Sequence, residues 1–413
     1  MSNDNKHPNV HRRGFLLSAA LGGIGAAAPH AATAADVEDK VDLTQQYKFY
    51  GNAEQAGIRT APQRHIFFMT FDLTSTRRRD LQVLLARWSA AIAQLVKGET
   101  IGQVEPDRAE ASGLDTGEAL NLGPASLTVT VGLGPKVFTD TYGLAAQKPA
   151  LLRELRQLPS DAFRPGLTGG DLSLQACADD PQVAYHAIRD LARIAKVTGT
   201  AATRWAVLGF GRASAGKGQS TPRNLLGFRD GTRNIKEDAD FEKFVWVKDA
   251  PDWQRNGSYQ VARKIQMRIE NWDTNRVSHQ NDVFGRHKMS GAPLTGTAEF
   301  DTPDFQKTKA DGTLLIPDTA HIRLAAFENN DGIRILRRSY NYTEGINQYG
   351  FLDAGLLFIS YQNDPAHFET LQTKLGAADA LNEYITHLGS AVFFVPPAPP
   401  EGSYLAEGMF ASV

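Results

Sequence analysis

Asn224-Leu225-Leu226-Gly227-Phe228-Arg229-Asp230-Gly231-Thr232-Arg233-Asn234 sets one carboxylate, Asp230, between an aromatic and a glycine. Phe228 can bury itself, and Gly231 lets backbone approach a neighbour closely. Asp230 would then face a cavity instead of water. An Asp-Gly pair alone also marks an ordinary turn. The stretch therefore takes its meaning from what the rest of the chain supplies around it.

The chain has 413 residues, 42% hydrophobic and 22% charged, with a net charge of −2. That is ordinary globular composition, long enough for two domains. The near-neutral charge points away from nucleic acid or an anionic membrane as partner. Cys177 is the single cysteine. A disulfide within the monomer is excluded, and a cysteine-ligated zinc or iron–sulfur site is disfavoured.

Residues 1–35 read as a targeting segment. His11-Arg12-Arg13-Gly14-Phe15-Leu16-Leu17 resembles the twin-arginine export signal, and a charge-free, Ala/Gly-rich run follows it. Ala32-Thr33-Ala34 offers the small residues that a signal peptidase reads, which places cleavage near Ala34 or Ala35. The expected destination is the periplasm or the exterior. This route carries folded cargo, so a cofactor would be inserted before export.

The remainder splits at the glycine-rich residues 211–218, giving domains 36–215 and 216–413. The first reads strand (63–72), helix (77–96), strand (126–132), strand (171–176), helix (181–197), strand (203–209), the order of a ferredoxin-like unit. Residues 98–123 are a long glycine- and acid-rich loop. In the second half, strands are expected at 257–272, 321–327, 332–339, 355–361 and 390–395. Helices are expected at 273–285, 367–375 and 379–386. His65-Ile66 to Phe71 and His321-Ile322 to Phe327 share a faint pattern that suggests duplication.

The Gly227-Phe228-Arg229-Asp230-Gly231-Thr232 segment resembles the GxxDGT motif of the dye-decolorising (DyP-type) peroxidases, a haem-enzyme family. The resemblance extends over about residues 60–395. It includes Pro317-Asp318-Thr319-Ala320-His321, Ile335-Leu336-Arg337-Arg338-Ser339 and Gly285-Arg286-His287-Lys288-Met289. With the export signal it points to the exported, EfeB-like deferrochelatase/peroxidase subgroup. The resemblance implies an α+β fold of two ferredoxin-like domains related by duplication, in the dimeric α/β-barrel superfamily, with haem in the C-terminal half. A homodimer fits it.

The resemblance implies one haem b per subunit and three site residues. His321 would be the proximal iron ligand, with Asp318 as its carboxylate partner. Asp230 would be the acid–base group on the opposite face, and Arg337 the charge beside it, holding Asp230 ionised. Strand parity puts Arg337 and Arg338 on opposite faces, and Arg338 suits an exposed edge. Gly231, Thr232, Arg233, Ala326, Phe327 and Glu328 would line the porphyrin, and basic residues such as Arg286 would help place the propionates, with none of them singled out. His65, His186, His367 and His387 have no Asp or Arg partner that the sequence identifies. Trp246, Trp253, Trp272, Tyr340 and Tyr342 are candidates for an electron relay, though aromatics are more often core.

The implied activity is reduction of hydrogen peroxide with oxidation of a bulky organic or porphyrin donor. The alternative is release of iron from haem with the porphyrin intact, alongside partner proteins of an iron-uptake system. A non-enzymatic haem carrier would have no use for an Asp/Arg pair.

Overall fold

A computed structural model that describes residues 41–108 and 110–411 shows one sheet and the helices around it. The export signal lies outside the described residues. The first half contains β1 (His65–Leu73), α1 (Arg78–Leu95), β2 (Thr128–Leu133), β3 (Leu172–Ala178), α2 (Pro181–Val197) and β4 (Ala201–Arg212). The second contains α3 (Asp238–Phe244), β5 (Ser258–Met267), α4 (Ile269–Asp273), α5 (Val277–Phe284), α6 (His321–Ala325), β6 (Leu336–Arg337), β7 (Tyr340–Ile346), β8 (Leu352–Gln362), α7 (Pro365–Ala378) and β9 (Ile385–Val395).

The duplication is visible in the strand order. The first half runs β2-β3-β1-β4 and the second runs β7-β8-β5-β9. Numbered within its own half, each reads 2-3-1-4, the ferredoxin-like order. The halves join at β4–β7, where Gly209 faces Tyr342, and at β9–β2, where Phe394 faces Leu133. All pairings are antiparallel, and β5 also pairs with β8, so the sheet returns on itself. Closure removes the exposed strand edges. At the β9–β2 joint a Cβ on Gly132 would stand 2.7 Å from the Phe393 Cβ, so only glycine lets these strands meet.

Helices α1 and α2 form as the sequence pattern predicts. The inward residues Leu81, Leu84, Leu85, Trp88, Ile92 and Leu95 of α1 are all buried. The Trp88 indole donates to the Leu191 carbonyl of α2 at 2.8 Å. Asp180 caps α2 by accepting from the Gln182 and Val183 amides, and Pro181 follows at the first helical position, where its missing N–H costs nothing.

Several expectations fail in the second half. Residues 379–386, expected as a helix, form a short turn at Ala380–Glu383 and then the start of β9, and residues 269–272, expected at the end of a strand, belong to α4. Residues 321–327 form α6 and a turn, not a strand. Ile322, Leu324 and Ala326 alternate as in a strand, but over five residues that pattern also fits a helix. The faint pattern shared with residues 65–71 therefore joins a strand to a helix and is fortuitous; the true counterpart of β1 is β5. Residues 332–339 yield only the two-residue β6. It pairs with β8 at Leu336↔Tyr361 and Arg337↔Ser360, and β7 continues against the same strand from Tyr340.

Arg338 needs correction too. It is not on an exposed edge but 1% exposed, inside the barrel. Its guanidinium donates to the Thr60 carbonyl and to Gln63 Oε1. Nearby, Gln260 donates to the Tyr361 hydroxyl at 2.7 Å, which donates to Gln175 at 2.8 Å. Arg338→Leu would leave these acceptors buried and unpaired. It is expected to cost about 1–3 kcal/mol of stability. Thermal unfolding checks this prediction.

The proposed relay aromatics are core residues: Trp246, Trp253, Trp272, Tyr340 and Tyr342 are all buried.

Candidate active site

In the second half the helical layer stands away from the sheet and leaves a cavity of about 270 Å³. Strand parity supplies one wall. Ile265 and Met267 of β5, and Leu356 and Phe358 of β8, project outward, while Ala262, Leu357 and Ile359 belong to the barrel's inner cluster. Phe284 of α5, Ile322 of α6, and Leu371 and Leu375 of α7 form the opposite wall. Asp230, His321 and Arg337 line this same cavity.

The 224–234 stretch is a self-bonded turn. Asn224 Oδ1 accepts from the Leu226 and Phe228 amides, and the Asp230 amide donates to the Pro222 carbonyl at 2.8 Å. Phe228 is buried and stacks on Phe284 with centroids 4.1 Å apart. Gly231 has φ +89°, and a Cβ there would lie 3.0 Å from the Ser214 Cα, so a side chain would push the turn off its support.

These contacts aim the Asp230 carboxylate. Its Oδ2 accepts from Asn224 Nδ2 at 3.0 Å, and its Oδ1 from Arg337 Nη1 at 2.6 Å. Asn234 fixes the other end of the pair. Its Oδ1 accepts from the Arg337 amide at 2.8 Å, and its Nδ2 donates to the Arg337 carbonyl at 2.9 Å. An asparagine side chain thus does for short β6 what a ladder partner would do. Arg337 Nε is buried without a hydrogen-bond partner among the described residues, and its guanidinium lies 5.4 Å from the Phe358 ring centre.

His321 opens α6. Its Nδ1 stands 2.6 Å from Asp379 Oδ2. Asp379 is buried just beyond α7, and its other oxygen accepts from the Leu381 amide at 2.8 Å. Burial disfavours protonation of His321, but the Asp379 carboxylate outweighs it and holds the imidazole above its usual range. With Nδ1 committed to Asp379, Nε2 is the nitrogen left to bind a ligand. This carboxylate–imidazole arrangement orients a ligating histidine and raises its basicity.

Asp318, the partner expected from the sequence, is 81% exposed and lies 3.9 Å from Arg323 instead. Asp379 was missed because it comes 58 positions after His321. Its one signal was an Asp opening a turn between apolar residues. Gly231, Thr232, Arg233, Ala326 and Phe327 line the cavity as expected, whereas Glu328 does not. Glu328 pairs bidentately with Arg233 at 2.6 and 3.0 Å. Arg286 lines the cavity, is 5% exposed, and donates to the Gly291 and Glu299 carbonyls. Burial lowers its pKa, so an anionic ligand group would suit it. His387 also lines the cavity. Burial pushes it down to about 3, which keeps it neutral.

The cavity thus pairs apolar walls with His321 Nε2, a buried Arg286, and an Asp/Arg pair. A flat iron-porphyrin with acidic side chains fits that donor set.

Comparison with known proteins agrees. Residues 55–211 match the family model described as Dyp-type peroxidase, N-terminal, and residues 221–399 match its C-terminal counterpart. A deferrochelatase of Yersinia pestis bv. Antiqua (strain Nepal516) is 38% identical over 377 residues, covering 88% of this chain and 85% of that protein. The deferrochelatase of Escherichia coli (strain K12) is 36% identical over 364 residues, covering 86% and 84%. The solved structure of ferric DtpA from Streptomyces lividans superposes with a TM-score of 0.81 at 38% identity, covering 89% of this chain and 97% of that one.

Proposed function

The chain belongs to the Dyp-type peroxidase family, a family of haem enzymes, and from that premise we propose that it binds haem b through His321 and reduces hydrogen peroxide while oxidising a bulky organic or porphyrin donor. The observation that carries this reading is the placement of the Asp379-held His321 and the Asp230–Arg337 pair on one cavity.

Bound haem would supply the iron centre at which peroxide is reduced and the donor oxidised. The chain's own residues would do the rest. His321 would hold the iron through Nε2, with Asp379 fixing the ring. Arg286 would receive a propionate. Asp230, already aimed by Asn224 and Arg337, would accept the proton from one peroxide oxygen and return it to the other as water leaves. Arg337 carries a fixed charge whose Nε, without a partner among the described residues, could meet negative charge developing on the breaking O–O bond. The apolar walls limit competing water.

The test is an absorption spectrum of the purified protein before and after one equivalent of peroxide, followed by donor turnover. Failure to retain haem, or a spectrum that peroxide leaves unchanged, overturns the proposal. A second reading, release of iron from haem with the porphyrin intact, is favoured by the relatives named deferrochelatase. Iron-free porphyrin appearing from supplied haem under turnover would support it.

We place the protein outside the cytoplasm, delivered by the twin-arginine route. The support is Arg12-Arg13 ahead of the apolar run. Changing both to Lys is expected to leave the haem-loaded precursor in the cytoplasm, as fractionation and blotting would show. Normal export of that variant sinks the assignment.

A further inference from the structure

A second cluster of ligand-type side chains lies in the first half, on α2. His186 and Asp190 stand one turn apart on one face, and Asp115 meets them from the 98–123 loop. All three are buried, with Asp115 at 3% and Asp190 at 0% exposed. Their donor atoms lie within 4.8 Å of one another. His186 Nε2 is 3.5 Å from Asp115 Oδ2 and 3.5 Å from Asp190 Oδ2.

Those separations are long for N–H···O hydrogen bonds. Asp190 Oδ2 has no hydrogen-bond partner among the described residues, though it is fully buried and points into the cluster. An unsatisfied buried carboxylate oxygen is costly. The nearby cations do not relieve it. Arg189 pairs with Glu118 at 3.2 Å, and Arg193 donates to the Gly113 and Leu114 carbonyls.

The two separations from His186 do suit a metal ion. A tetrahedral ion with bonds of about 2.1 Å holds its donors about 3.4 Å apart. The support around the donors is also of the kind a metal site has. Thr116 donates to Asp190 Oδ1 at 3.0 Å, and the Ile101 and Gly117 amides donate to the Asp115 carboxylate at 2.9 and 2.8 Å. Glu118 Oε2 stands 3.2 Å from His186 Nδ1, the side away from the cluster. A carboxylate there favours a proton on Nδ1 and leaves the Nε2 lone pair for a metal.

We propose that Asp115, His186 and Asp190 bind one divalent first-row transition cation, zinc(II) fitting best, with water as the fourth ligand, and that this ion pins the 98–123 loop to α2. Two carboxylates and one imidazole suit zinc, manganese or ferrous iron. Calcium, which needs six or more oxygens, does not fit. The site is separate from the haem cavity and shares no residue with it.

The test uses the full-length, haem-loaded protein, stripped with a chelator and titrated with zinc(II) or calcium(II) alone. Elemental analysis is expected to find one zinc per chain beyond the haem iron. Hydrogen exchange is expected to slow in residues 98–123 and in α2, and calcium should do neither. Asp190→Asn should bind zinc more than about tenfold more weakly. Absence of zinc uptake overturns the proposal and leaves a histidine–carboxylate ion pair. Uptake that does not slow exchange in residues 98–123, or that Asp190→Asn leaves unchanged, puts the metal elsewhere and also overturns it. The exchange measurement on the parent protein decides even if the variant does not fold.

Discussion

Asp230→Asn is expected to lower peroxide-dependent oxidation of a bulky dye, per bound haem, by about 10²–10⁴-fold, the usual loss of a positioned acid–base group. The amide keeps the shape, but its single acceptor oxygen can serve only one of the two donors, Asn224 Nδ2 or Arg337 Nη1, and it cannot take up the peroxide proton. Arg337→Leu is expected to cost about 10²–10³-fold, as loss of one preorganised charge does. It also removes a cation from the cavity wall, so part of its effect should appear as lower haem content. Arg338→Leu is the control, since its guanidinium points into the barrel toward Thr60 and Gln63. The measurement is turnover at saturating donor, corrected for haem, in all three variants. A crippled Arg338→Leu beside a normal Arg337→Leu would mean that the wrong arginine has been placed at the site. A normal Asp230→Asn would assign peroxide activation to the arginine alone.

His321→Ala should abolish stoichiometric haem loading, because it removes the imidazole that faces the cavity while Asp379 holds its other nitrogen at 2.6 Å. Asp379→Asn should keep the ligand but loosen its orientation, with haem affinity falling by about 10–100-fold, the range for losing the partner of a metal-binding histidine. Haem content after expression with haem supplied, and the rate of haem transfer to an acceptor protein, check the two in turn. Full loading with an unaltered spectrum in His321→Ala would exclude the histidine. His387, which lines the same cavity, would then be the next histidine to test.

Local chemistry made much of this legible. The α1 and α2 patterns, with Asp180 and Pro181 at the head of α2, carry their structure within a few turns of chain. The 224–234 stretch does likewise, because Asn224, Gly227, Phe228 and Asp230 bond one another within one turn. The parity that separates Arg337 from Arg338 survived even though the strand around them shrank to two residues. Alternation depends only on extended backbone at those residues.

Contacts between distant segments were not legible. Asp379 is no different in sequence from other acidic residues that open a turn; it becomes His321's partner because α7 brings it against α6. Arg338 looked like an edge residue because nothing local shows that β6 and β7 face the inside of a closed barrel. His186 has Asp190 one turn away on its own helix, but its meeting with Asp115 comes from a loop 71 positions earlier. The sequence by itself determined α1 and α2, the site turn and that the two adjacent arginines face opposite ways, since each rests on backbone periodicity or bonds within a few residues. Only the tertiary structure decided how the two 2-3-1-4 sheets close, where the cavity opens between sheet and helices, and which carboxylate meets which histidine. Those depend on side chains tens to hundreds of residues apart being buried against each other, and no local pattern encodes that pairing.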